Sequence, residues 1–154
     1  MNIFYLDKNP QKCAEYHNDK HVVKMILETA QLLCGAHWAT GGEAPYKLSH
    51  KNHPSAIWTR TNKENYKWLC LLGLELCWEY QSRYNKTHKT FEIIKWCNDN
   101  LPNIPDGEFF DPPPAMPDYC KIENNSILSY RNYYMMEKRS FSTWKTGEIP
   151  SWFK

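Results

Sequence analysis

The sequence predicts a mostly α fold: a compact single-domain helical bundle with a Pro-rich extended crossover and at most one short N-terminal strand. Three observations carry this reading. Apolar runs of helical length recur along the chain, each preceded by a capping residue. The stretch from 101 to 119 holds six prolines, so it is neither helix nor central strand. Only the opening MNIFYLD alternates as a strand does. At 154 residues the chain suffices for one domain (1–154) with a sizeable core, and no internal repeat divides it.

Taken in order, MNIFYLD is one strand or an extended arm. Asn9 caps and Pro10 opens a first helix that runs to about Trp38, where ATGGEAP stops it. A second long helix starts near Pro54 and persists to about Tyr84, with Trp58, Leu69, Leu72, Leu76 and Tyr80 on one face. Thr87 begins a short third helix that ends before Pro102. The proline-rich crossover is held on the helices by Phe109, Phe110 and Met116. Asn125 or Ser126 caps a last helix, and the tail GEIPSWFK, ending in two aromatics, is expected to dock.

Composition narrows the class. A formal charge of +2 points to no partner by itself, since strong nucleic-acid binders carry a larger or more clustered excess. Seven Trp, ten Tyr and six Phe either fill a small core or supply flat faces for stacking bases. Six cysteines without a close pair, and without a leader-like opening segment, read as reduced thiols in a cytoplasmic protein, the host cytoplasm if the chain is viral. No apolar run approaches the roughly 18 residues of a membrane span, so no membrane partner is expected.

Chemistry concentrates first in EYHNDKHVVKMILETAQ, residues 15 to 31. The helix is apolar over most of its circumference except for a strip of His17, His21, Lys24, Glu28 and Gln31. Such a strip either faces solvent, with Lys24 and Glu28 paired one turn apart, or lines a site. Two histidines four residues apart favour the site, because imidazoles among apolar neighbours have displaced pKa values. His-x3-His would also present two imidazoles to a metal, completed by Glu28, His37, His50 or His53. Lys20 and Lys24 set positive charge beside such an ion, so no metal and no cofactor are expected. Lysine chemistry is the other option: Lys20 or Lys24 as the nucleophile toward a sugar carbon, with Asp19 or Glu28 carrying protons.

A second cluster lies in HKNHPSAIWTRTNKENYKW, residues 50 to 68. His50, His53, Arg60 and Asn65 are interleaved with Trp58, the mixture that flipped or single-stranded nucleotides require. The alternative is a solvated helix start with Trp58 in the core. Arg83 in EYQSRYNKTHK, and Arg131 with Lys138 in SYRNYYMMEKR, repeat the mixture.

The segments DKHVVKM, NHPSAIW, PPPAMPD and YRNYY resemble an uncharacterised small-protein family of tailed phages. A further similarity is to the phage pyrimidine-dimer DNA glycosylases. It rests on AEYH (14–17), on EK (137–138), on PSWF (150–153), and on the order of helices and crossover. That resemblance implies a compact helical enzyme that flips a nucleotide and cuts the glycosidic bond through a Schiff base. Members use the α-amine of a Thr exposed by loss of the initiator Met, and a Glu two positions after the Tyr. Here residue 2 is Asn, whose bulk leaves Met1 in place, and the Glu position is Asn18; His17 replaces an Arg.

The expectation is a DNA N-glycosylase, or glycosylase/lyase, on damaged or modified bases. Lys20 or Lys24 would attack, Asp19 or Glu28 would carry protons, and His17 and His21 would hold phosphate. His50, His53, Trp58, Arg60, Asn65, Arg83, Arg131 and Lys138 would position DNA. The rival reading is a phage anti-defence protein that sequesters or cleaves a small nucleotide signal, a cyclic nucleotide or ADP-ribose derivative. A structural virion component is a third.

Overall fold

The computed structural model describes residues 1–146 and 148–153. Six α-helices follow one another: α1 (Pro10–Tyr16), α2 (Asp19–Ala39), α3 (Pro54–Thr61), α4 (Lys63–Tyr84), α5 (Phe91–Asp99) and α6 (Ser126–Glu137), with short 3-10 turns at Asp118–Cys120 and Arg139–Phe141. Helix α4 is the centre of the bundle and packs against α1, α2, α3 and α5. No strand forms among the described residues, where the one bridge joins Ile122 to Asn125. The opening segment is instead an extended arm, with Ile3 to Leu6 buried. All six cysteines are buried free thiols. No helix among the described residues is long and apolar enough to cross a membrane.

The two long helices expected from the sequence are each broken, and an asparagine breaks both. Asn18 leaves the helical conformation and its side chain accepts from the His21 N–H, so α2 restarts there at 2.8 Å. The carbonyls this frees at the end of α1 all find donors. Arg83 reaches the carbonyls of Glu15 and His17, and the Trp144 indole donates to that of Tyr16. Asn62 does the same between α3 and α4, accepting from Asn65 N–H. The third helix starts at Phe91 rather than Thr87, because His88 accepts from the Thr90 N–H and holds the preceding turn open.

Phe109 and Met116 pack the crossover on the core as expected, whereas Phe110 is 48 % exposed, and hydrogen bonds tie the segment down further. The Trp58 indole donates to Phe110 O, the Asn62 amide to Glu108 O, and Ser126 Oγ to Pro112 O. Asn65 accepts from Phe110 N–H. Gly107 passes so close to Asn62 that a Cβ there would sit 2.8 Å from the asparagine Cβ, a contact no other residue permits. Asn125 caps α6, and the tail packs Trp152 against Tyr16 and Phe153 against Trp144.

Candidate active site

The arm, α2 and the crossover meet at the amine of Met1. Its nitrogen lies 3.3 Å from Glu28 Oε1, which also accepts the Asn2 N–H at 3.1 Å. The second carboxylate oxygen faces Lys24 Nζ at 3.7 Å. Glu28 is only 13 % exposed, whereas the Lys24 side chain is 72 % exposed, so the carboxylate is a fixed partner and the lysine a mobile one.

Asn2 fixes the amine's position. Its amide donates to Ala115 O at 2.9 Å, and its Oδ1 accepts from the Ile3 N–H and lies 3.1 Å from the Tyr130 hydroxyl. That hydroxyl also accepts from Ala115 N–H and lies 2.7 Å from Pro113 O. The PPPA segment of the crossover is thus a bracket for the start of the chain. His53, the N-cap of α3, stands close enough that the Met1 amine influences it. Burial first, then the charges of Met1 and His50, push its pKa down, and Glu28 pushes it back up. Its Nδ1 accepts from Ser55 N–H, so when neutral it carries its proton on Nε2. Along the same side of α2 runs an open trough of about 440 Å³ lined by Leu27, Gln31, Tyr46, Leu48 and Ser49.

An amine beside a carboxylate, with an imidazole at hand, forms a carbinolamine and then a Schiff base with an aldehyde-level carbon. Residues 1–92, more than half of the 154, match the family pyrimidine dimer DNA glycosylase. The chain belongs to that family. No curated protein and no solved structure gives a significant match. Membership makes the function of DNA glycosylase type and DNA repair its setting. The matched residues hold Met1, Glu28 and His53, while the bracket from the crossover and α6 lies outside the match.

The residues singled out by sequence divide sharply. Glu28 meets the amine directly, Lys24 faces the other oxygen of that carboxylate, and His53 stands close enough to feel the amine's charge, whereas His50 is exposed and bonds to Ser49. His17 and His21 do not gather there. The break at Asn18 puts them inside, where His17 is fully buried and His21 is 6 % exposed. His21 Nδ1 is 2.7 Å from the Tyr134 hydroxyl, and its ring stacks on Phe4 at 4.2 Å. His17 Nδ1 bonds to Cys13 O, leaving Nε2 buried without a partner. Burial lowers His17 to about 4 and, with the charges of His17, Lys138 and Lys24, His21 to about 3. Neutral imidazoles beneath the surface have no charge with which to hold phosphate, which corrects that expectation.

Other expected roles are overturned by the same kind of observation. Asp19 is committed to Arg83, the Thr143 hydroxyl and the Lys145 N–H, so it is a latch on the tail and not a free proton carrier. Arg83 is buried, with its guanidinium spent on Asp19, Glu79 and the α1 carbonyls. Trp58 is 2 % exposed and has no face for a base, and Asn65 is buried between Trp58 O and the crossover. Arg131 binds Leu6 O and Asp7 and lies between the rings of Tyr16 and Trp152. Arg60 fastens Lys51 O at the entry to α3. Lys20 lies over Phe141 and not beside the amine, whereas nothing in the place of Lys138, over Tyr133, is at odds with its expected contact to DNA.

Sequence reasoning missed Met1, Asn2 and Tyr130. The one pointer to Met1 was Asn2, read above as a residue expected to leave the methionine in place. A cavity of about 470 Å³ beside Glu15, Glu79 and the tail involves none of these residues, and its carboxylates repel phosphate.

Proposed function

We propose that this chain is a DNA N-glycosylase with associated lyase activity on damaged or modified bases, and that the Met1 amine is its nucleophile. The observation that carries the reading is the 3.3 Å approach of that amine to Glu28, with Asn2 bracketed so that the amine stays there. In the reaction the Met1 ammonium first gives up one proton to solvent, which also supplies the proton the base takes up, and the free amine nitrogen bonds to C1′ of the damaged nucleotide. The bond from C1′ to the base breaks, and the base leaves with the electron pair and takes up a proton. Glu28 accepts the proton the bonded amine then loses and delivers it to O4′ as the sugar ring opens, leaving a Schiff base. Elimination of the 3′ phosphate then gives the lyase product.

Lys24 is the second candidate nucleophile, favoured by its 3.7 Å distance to the same carboxylate. Borohydride trapping on DNA with an abasic site or a pyrimidine dimer, followed by peptide mapping, separates the two. The expected adduct is on the peptide bearing Met1. An adduct on Lys24 would move the chemistry to the lysine. Absence of any adduct overturns the Schiff-base reading, and tight binding of a cyclic dinucleotide or an ADP-ribose derivative would then favour a small-nucleotide protein.

A further inference from the structure

Two lysines from distant parts of the chain share one aromatic ring. Lys20 Nζ lies 4.9 Å from the centre of Phe141, and Lys138 Nζ lies 5.9 Å from the same ring and 4.8 Å from Tyr133. One helical turn along α2 from Lys20 stands Lys24. The nearby acids do little to offset these charges. Asp19 is taken up by Arg83 and the tail, Glu137 is bonded to the Tyr119 hydroxyl, and Glu28 shares its charge between Lys24 and the Met1 amine. In a chain whose formal charge is only +2, this is a local excess. Like charges gathered over aromatic faces cost free energy unless an anion joins them, while the rings hold the ammonium groups extended toward solvent.

We infer that Lys20, Lys24 and Lys138 form an edge that holds phosphodiester groups of a DNA strand on one side of the Met1–Glu28 pair. The inference rests on the proposed glycosylase reading and names where the strand enters. Lysine suits the task as a hydrated point charge that tracks a backbone without reading its sequence. His17 and His21 beneath the edge are buried and neutral, so holding phosphate falls to the lysines alone.

The test separates binding from chemistry. Duplex DNA carrying a tetrahydrofuran abasic analogue has no aldehyde, so its affinity reports the edge alone. The double variant Lys20→Gln/Lys138→Gln should lower the slope of log K against log salt by about 1.8, roughly 0.9 for each phosphate released. Affinity should fall about tenfold or more near 0.1 M salt. A control pair outside the edge, Lys86→Gln/Lys95→Gln, should leave the slope unchanged. Trapping, run separately on abasic DNA that keeps its aldehyde, reports the chemistry and not the edge. An unchanged slope in the double variant, or an equal fall in the control pair, overturns the edge. A lowered slope with no trapping in any protein would leave the edge standing and remove the Schiff-base chemistry instead.

Discussion

Two polar clusters lie at the start of α2 and along it, His21 and Glu28 about two turns apart, and their fates differ. At its start, His17 and His21 are sealed beneath Phe4, Tyr134 and Phe141, and burial keeps both uncharged. Further along, Glu28 sits at a seam between the arm and solvent, paired with an amine on one oxygen and a lysine on the other. The first cluster holds polar groups in place; the second holds opposite charges at proton-transfer distance. What separates them is access to a counter-charge, since residue type alone would have favoured the histidines.

The sharpest way to break this contrast is Glu28→Gln. The amide keeps the Asn2 N–H bond but takes no proton, so single-turnover cleavage should fall by about 10²–10⁴ while stability changes by about 1 kcal/mol. Equal loss of fold and activity would place Glu28 among the structural groups.

Acid probes the other cluster. The folded pKa values of His17 and His21, about 4 and about 3, lie below the 6.5 of a free imidazole, so the unfolded chain takes up protons first as pH falls. Their contribution is complete above about pH 6.5 and disappears toward pH 4 and below, about 3 kcal/mol for His17 alone. Urea unfolding at pH 7.5 and pH 5 should show the decline; a flat profile across that range would mean the imidazoles are not buried neutral.

Tyr134→Phe sharpens the comparison further. It strips the hydroxyl from His21 Nδ1 and from the Asn18 N–H, at a cost of about 1–3 kcal/mol in stability with trapping at saturating DNA unaltered. The smallest effect belongs to Lys24→Gln, an exposed partner whose loss should alter stability by less than about 1 kcal/mol and still permit the covalent adduct. An adduct lost in that variant alone would assign the nucleophile to Lys24.

The bundle was legible because capping and periodicity are local. Asn9, Asn125 and the six-proline crossover announced themselves in order. The breaks at Asn18 and Asn62 were hidden, because each helix continues its apolar pattern across the break and only Arg83, Trp144 and the crossover satisfy the freed groups. That missed break is why the polar strip was misread: His17 lies outside α2, so only His21, Lys24, Glu28 and Gln31 share its phase, and Val23 and Leu27 are exposed along with Lys24. Glu28 could be picked out on the strip, but its partner is the first residue of the chain, which no periodicity marks. Trp58 and Asn65 looked like nucleotide contacts because an aromatic that stacks on a base and one that fills a core share a composition.

The bracket around Asn2 has a consequence for the timing of activity. Tyr130 lies 128 residues beyond Asn2, and Ala115 lies 113 beyond it. On the ribosome, Asn2 and Glu28 emerge long before the groups that hold the arm in place. A nascent or truncated chain therefore carries the amine and its carboxylate without a fixed geometry between them. On the proposed reading, the amine is therefore aimed at its substrate only once these long-range contacts have closed.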